Sequence, residues 1–259
     1  MGGGGALRFV VAYEGTRYSG WQRQRNAPSV QGALEAALSR LEARAGGALG
    51  ASRTDAGVHA LGQVAWAETH RPLDPQRYRS ALNALLPEDI RVRGCDLTEG
   101  RFLPLQGVLE KTYVYRLDLG AAPDPRTRRF ALHQPGDLDL AAMERALGGV
   151  LGRHDFRHFA SAGGGARTTE RTLREAEVRP GDGSAELRFT ANGFLYHMVR
   201  NLVGAALRVG EGREDEGFLQ RILEGGPPPA GIKLAPACGL TLLGIAYGPP
   251  FPLDSRQVR

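Results

Sequence analysis

Apolar and polar positions alternate from Leu7 to Tyr13, with Leu7, Phe9, Val11 and Tyr13 on one side, and this period of two predicts a strand. Val30, Leu34, Leu38 and Leu41 then recur at helical spacing, with Ser29 placed as N-cap and Gly46 and Gly47 placed to end the helix. A weak apolar run, Ala48 to Ala51, and a clear one, Gly62 to Ala67, bracket a polar stretch punctuated by Gly57. That pattern predicts a tight loop between two strands, the second over Gln63 to Thr69. Asp74-Pro75 opens a second helix with Tyr78, Leu82 and Leu85 as its stripe and Pro87 as its stop. Ile90 and Val92 begin another strand, in which Gly94 marks a bulge. Farther on, Val108 to Leu119 alternates, with Leu109, Lys111, Tyr113, Tyr115, Leu117 and Leu119 on one face. Asp139 caps a helix bearing Leu140, Met143, Leu147 and Val150; Arg153 to Phe159 reads as a short helix.

The last third continues in the same way. Ser161 to Thr169 is a glycine-rich loop, expected to be mobile, and strands follow over Leu173 to Val178 and Ala185 to Thr190. Asn192 is expected to cap a helix whose core stripe is Leu195, Met198, Leu202, Ala206 and Val209. Its opposite, polar side would carry His197, Arg200, Asn201, Gly204 and Arg208. A helix over Asp215 to Leu223, a Pro/Gly-rich linker from Gly225 to Gly231, a strand over Leu240 to Tyr247 and a loose tail after Pro249 complete the reading. Short strands and helices without a G-x-G-x-x-G loop favour an α+β layer with an antiparallel sheet over a doubly wound nucleotide domain. The second half repeats the order of the first coarsely, without sequence identity.

Composition narrows the partners. A chain of 259 residues with 42% apolar content can bury a sizeable core. The net charge is +5 and the pI about 9.5, which suits an anionic partner such as nucleic acid. Lys111 and Lys233 are the only lysines, so arginine carries nearly all of the positive charge. Its planar fork binds phosphates and stacks on bases better than an ammonium does. Cys95 and Cys238 form no C-x-x-C and no zinc spacing, which points to a reducing compartment and no structural metal. No apolar run has the length of a membrane span, and Met1 to Gly5 lacks the features of a signal peptide, so cytoplasmic residence is expected.

Three loops concentrate the chemistry. Between the predicted strands, Arg53 and Asp55 flank Thr54, placing a carboxylate beside a cation in a confined turn. Asp before a small residue and glycine is also ordinary turn chemistry, because the side chain bonds its own backbone. Glu14 to Pro28 contains Gly20-Trp21-Gln22-Arg23-Gln24. There Trp21 is either a core plug among solvated neighbours or a ring that stacks on a base. Asp124 to Arg129 is basic and is either a solvated face or a phosphate contact.

The run Arg53-Thr54-Asp55-Ala56-Gly57-Val58-His59-Ala60 resembles the signature loop of the tRNA pseudouridine synthase A family, whose aspartate is catalytic. The segment Gly20 to Gln24 resembles a second motif of that family, associated with tRNA contact. Tyr113-Val114-Tyr115 is similar to a third, in which the first tyrosine belongs to the catalytic site. His197-Met198-Val199-Arg200-Asn201 is similar to a fourth, whose arginine pairs with the catalytic aspartate. Arg167-Thr168 matches a family pair, and Leu242 an apolar position that lines the family's pocket. There are departures: Ser52 stands where glycine is commoner, and Phe102-Leu103-Pro104-Leu105 replaces the F-H-A-R usual in relatives.

The resemblance implies a pseudouridine synthase fold: two ferredoxin/RRM-like α+β halves forming a continuous antiparallel sheet, with flanking helices and a central cleft. The expected halves are residues 1–105, with the Asp55 loop, and 106–259, with the Tyr113 strand and the Arg200 helix. It further implies a homodimer that isomerises uridine to pseudouridine at positions 38, 39 and 40 of the tRNA anticodon stem-loop, without cofactor or metal. Asp55, Tyr113 and Arg200 would be catalytic, and Trp21, Arg23, Gln24, Arg53, Lys111, Arg167 and Leu242 would contact substrate. A carboxylate can act by covalent attack or by proton abstraction from the sugar, and both remain open. Tyr113 would stack on uracil and help remove the C5 proton; a phenol is a poor base unless a cation, Arg53 or Lys111, favours its ionised form. An RNA-binding relative that has lost the chemistry is the alternative, prompted by the missing F-H-A-R. A carbohydrate hydrolase is disfavoured, since no second carboxylate is partnered with Asp55 in sequence.

Overall fold

Three of the helices begin where polar caps are available. Ser29 accepts from the Gly32 amide and opens α1, Val30–Leu41. Asp74 accepts from Arg77 at the start of α2, Pro75–Leu85, and Asp139 from Ala142 at the start of α3, Leu140–Gly148. Each cap is the one expected from the sequence. The computed structural model describes residues 5–42, 46–70, 74–98, 102–225, 233–249 and 253–257. By their contacts the residues form two compact units, 1–109 with 242–259, and 110–241. The sequence division at 105/106 placed this C-terminal segment with the second half; by contacts its described residues, 242–249 and 253–257, group with the first unit. The architecture is α+β, with five α-helices and eleven strands among the described residues.

In the first unit, β1 (Gly5–Tyr13) lies between β3 (His59–Thr69) and β4 (Ile90–Thr98), antiparallel to both. The short β2 (Leu49–Gly50) pairs with β3. Val10 faces Gly94 while Val11 faces Val92, so the expected bulge is present, with Arg93 as the extra residue. Leu7, Phe9 and Val11 are buried, as are Leu34 and Leu38 of α1 and Tyr78 and Leu82 of α2. The glycines at 46 and 47 do not end α1. The helix stops at Leu41, and the buried Glu42 turns the backbone into an extended conformation. Its carboxylate accepts from the hydroxyls of Thr69 and Tyr78 and from the His70 amide. Phe102 is buried edge-on to Tyr247, whose hydroxyl donates to the Pro104 carbonyl at 2.6 Å, so the F-L-P-L segment is held by ring packing and one hydrogen bond.

The tail also differs from expectation. In place of a loose end, β11 (Leu253–Asp254) pairs with the end of β10 (Leu240–Tyr247), and the buried Ser255 hydroxyl donates to the Gly62 carbonyl at 2.7 Å. A serine that satisfies a backbone carbonyl anchors the chain as well as an apolar residue would.

In the second unit the strand order is β5 (Val108–Asp118), β9 (Ser184–Ala191), β8 (Glu170–Gly181), β7 (Gly152–Asp155), all antiparallel. A two-residue β6 (Leu132–His133) adds a parallel pair on β5. The segment expected as a helix from Arg153 to Phe159 is β7 followed by a single 3₁₀ turn at Arg157–Phe159, because pairing with β8 claims its first residues. Asn192 does not cap the following helix. Its side-chain oxygen accepts from the Thr172 amide, and α4 (Met198–Gly210) begins six residues later. Nor is there a full polar side: Gly204 is buried with nearly the whole helix, since α3 and α5 (Phe218–Gly225) pack against it. Helix α5 starts after the expected Asp215, which instead accepts from the Gly217 amide. The linker expected from Gly225 to Gly231 lies, past Gly225, outside the described residues. Among the described residues no helix is long and apolar enough to cross a membrane.

Candidate active site

Arg53 to Val58 of the R-T-D-A-G-V-H-A segment lie in the loop between β2 and β3, as the apolar pattern predicts, and His59 and Ala60 open β3. The Val58 amide donates to the Asp55 carbonyl at 3.1 Å, and Gly57 between them has φ +79°. A positive φ at the third position is what a type II turn requires, and glycine supplies it without a Cβ clash. The turn leaves Arg53 exposed and Asp55 half-buried, while Thr54 between them is buried.

One flanking segment, between β1 and α1, clamps this loop at three points. The Trp21 amide donates to the Thr54 carbonyl at 3.0 Å, and the Gly57 amide to the Tyr18 carbonyl at 3.2 Å. The Gly15 amide donates to Nδ1 of the buried His59 at 3.0 Å. At Gly20 the approach is too tight for a side chain: φ is +91°, and a Cβ there would lie 2.5 Å from the Thr54 carbonyl oxygen. Gly20→Ala should therefore push the loop aside and strain the backbone, costing about 1–3 kcal/mol. Turnover measured well below the melting temperature should fall by more than tenfold; unchanged turnover would show that the loop tolerates displacement.

The G-W-Q-R-Q motif is thus brought against the Asp55 loop, but its tryptophan is not a base platform. Trp21 is 2% exposed and fills the space over Gly50, with the Tyr13 ring 6.1 Å away, so it is the core plug. Its neighbours face solvent. Arg23 is exposed and pairs loosely with Glu35 at 3.4 Å, and Gln24 donates to the Ser19 carbonyl. An exposed pair of this kind contributes little to stability, so the Arg23 guanidinium is available to a phosphate. Leu242, in β10, is fully buried in the same unit.

The second unit holds the other set. Tyr113 is buried in β5 opposite Phe189, with the Phe194 ring edge-on at 5.2 Å. Lys111, two residues back on the same face, has its ammonium pKa brought down to about 8 by burial and by the neighbouring Arg171. Arg200 lies in the first turn of α4 and donates through Nε to the Ala235 carbonyl at 2.7 Å, while the Ala235 amide donates back to its carbonyl. The Tyr115 hydroxyl holds the same segment through the Pro236 carbonyl. Preceding α4, His197 has φ +63°, a left-handed backbone that a bulky residue adopts only when its surroundings impose it. Those surroundings are the stacked Tyr196 ring at 3.8 Å and the Ser161 hydroxyl, 2.9 Å from Nδ1. Arg167 is exposed in the adjoining loop. In the 124–129 loop, Asp124 is forked by Arg126, and Arg128 and Arg129 are exposed.

A family model described as tRNA pseudouridine synthase matches residues 9–97 and 146–248. The chain belongs to that family. It is 39% identical over 243 residues to the tRNA pseudouridine synthase A of Latilactobacillus sakei subsp. sakei, covering 93% of this chain and 98% of that protein. With the tRNA pseudouridine synthase A of Maridesulfovibrio salexigens the identity is 35% over 244 residues, or 93% of this chain and 90% of that one. The protein of that name from Chlamydia trachomatis serovar L2b is 38% identical over 246 residues, covering 93% of this chain and 91% of its own. The family-model match falls in both units of this pseudouridine synthase family member and takes in the Gly20–Gln24 segment, the Asp55 loop, Arg167 and the Arg200 motif, while residues 98–145, with Tyr113, lie outside it.

Sequence reasoning missed several residues around these motifs: Tyr13, Gln63, His59 and Arg171. The overlooked signal for Gln63 was a carboxamide inside the apolar run Gly62 to Ala67. A polar residue at a core position needs partners, and those partners prove to be the Asp55 loop.

Proposed function

We propose that this protein converts uridine to pseudouridine on the 3′ side of the tRNA anticodon stem-loop, acting as a cytoplasmic homodimer with Asp55 as the reacting carboxylate. The observation that carries the reading is the clamped loop of a pseudouridine synthase family chain, which presents a half-buried aspartate on a type II turn. The reaction breaks the bond from uracil N1 to C1′, turns the ring, and joins C5 to C1′ with loss of the C5 proton. N1 takes up a proton in place of the one lost from C5, so the nucleoside's composition is unchanged and one carboxylate suffices, by attack or by proton abstraction. Tyr113 is assigned to the uracil face and to relay of the C5 proton, with Lys111 as the cation that favours its ionised form. Arg200 is assigned as the guanidinium that orients the carboxylate, and Arg23, Gln24, Arg53 and Arg167, all exposed, are assigned to phosphates. Lifting a paired uridine from its stack costs a few kcal/mol, which such shape-reading contacts offset. No observation favours a tRNA binder without chemistry.

Tritium release from tRNA labelled at uracil C5 tests the reading directly: the wild-type protein should release label in a time-dependent manner, and binding without release would overturn it. Arg200→Ala should lower turnover by at least about a hundredfold, the scale expected of a lost orienting group. Because Arg200 is half-buried, its melting temperature should fall by only a few degrees, about the loss of one or two hydrogen bonds. Collapse of the thermal transition would make that residue structural instead.

A further inference from the structure

The first unit contains a buried polar chain that the reaction itself does not call for. Gln63 sits in β3, fully buried, and its amide bonds both backbone groups of Ser52: the Ser52 N–H donates to Oε1 at 3.1 Å, and Nε2 donates to the Ser52 carbonyl at 2.6 Å. This is the exchange a strand residue makes with a neighbouring strand, carried out by a side chain. It extends the pinning of the chain beyond the β2–β3 pairing, which closes with the Ala51 amide on the Val64 carbonyl at 2.8 Å. Nε2 also lies 3.5 Å from the Tyr13 hydroxyl, which is 2.7 Å from the Thr54 hydroxyl. Gln63, Ser52, Tyr13 and Thr54 are all buried.

Burying a carboxamide and two hydroxyls brings little net stability, since each partner gained replaces one lost to water. What a satisfied buried network does give is a single geometry. Here that geometry is imposed on the residue before Asp55. Thr54 is held through its hydroxyl by Tyr13 and through its carbonyl by the Trp21 amide. Asp55 is then held from the other side by the Val58 amide on its carbonyl. With both neighbouring peptides fixed, the direction of the Asp55 Cα–Cβ bond is fixed too.

We infer that Thr54, locked by Tyr13 and Gln63, is the positioning residue that aims the Asp55 carboxylate. The inference rests on the assignment of Asp55 above. Thr54 touches no reacting atom in this account and works only through the backbone of its neighbour. A reacting group misplaced by an ångström costs up to about a hundredfold in rate, so loss of the lock should be read in kcat and not in tRNA affinity.

Thr54→Val keeps the shape and removes the hydroxyl; Thr54→Ser keeps the hydroxyl and removes the methyl. The valine variant should lose about 10- to 100-fold in kcat with its tRNA Kd within about twofold of wild type, whereas the serine variant should stay within about threefold. Tyr13→Phe removes the same hydrogen bond from its other end and should show the same loss. The double variant Tyr13→Phe/Thr54→Val should be no slower than either alone, because the shared bond can be lost only once. A fully active Thr54→Val, a serine variant as slow as the valine one, or additive losses in the double would each overturn the inference. If Thr54→Val does not fold, Tyr13→Phe decides between the same outcomes. Asp55→Asn in the same assay separates the two claims: an active asparagine variant removes the assignment of Asp55, while an inactive one beside a fully active Thr54→Val removes only the positioning role.

Discussion

Asp55→Asn abolishes label release while leaving fold and tRNA binding intact: this is the first expected result, and the largest in rate. Asparagine has nearly the same shape and makes the same turn hydrogen bonds, so the type II turn and its clamps persist. The half-buried side chain contributes little to the core, and the melting temperature should move by no more than about 2 °C. An amide cannot replace a carboxylate either as nucleophile or as base, so turnover should fall by at least ~10³-fold, about 4 kcal/mol of barrier. Removing a negative charge from a surface that meets phosphates should leave tRNA binding at least as tight. Filter binding, melting and tritium release on one preparation measure all three. Full turnover by the asparagine variant would end the assignment; joint loss of activity and binding would make Asp55 structural.

The second large effect is on stability, far from that loop. Glu42 closes α1 with a buried carboxylate on which the Thr69 and Tyr78 hydroxyls and the His70 amide converge. Burial by itself would raise its pKa, but those three donors outweigh burial and hold the group below the ordinary glutamate range. Because the folded pKa is the lower one, the unfolded chain binds the extra proton. The stabilisation is therefore complete above the ordinary glutamate pKa and is lost as the pH falls through the folded value. Glu42→Ala removes the acceptor from three donors and should cost about 3–5 kcal/mol, or about 10 °C of melting temperature in a chain this size. Glu42→Gln keeps two of the three hydrogen bonds and should cost about 1–2 kcal/mol, with a stability profile flatter than wild type on the acid side. An alanine variant as stable as wild type at neutral pH would show that the network contributes nothing net.

Much of the local structure was legible along the chain. The caps at Ser29, Asp74 and Asp139, the alternation of β1 and β5, the loop around Asp55 and the bulge beside Gly94 all follow from interactions within a few residues. Reading failed where a distant segment competed. Asn192 has the chemistry of an N-cap but serves Thr172 across β8, and the Arg153 region has helical spacing but pairs with β8. At residue 41, α1 ended because Glu42 found donors in β3 and α2, not because glycines followed. From its own loop Trp21 read first as a core plug and the resemblance favoured base contact; in the fold its ring fills the slot over Gly50.

The sequence by itself determined most of the helices and strands, which family the chain resembles and which loop carries the carboxylate, because periodicity, capping and turn chemistry act over a few residues. Only the tertiary structure decided what holds that carboxylate in place, what ends α1 and where residues 242–249 and 253–257 settle. Those outcomes depend on hydrogen bonds and packing between segments far apart in the chain, such as Gln63 with Ser52, Tyr13 with Thr54 and Ser255 with Gly62.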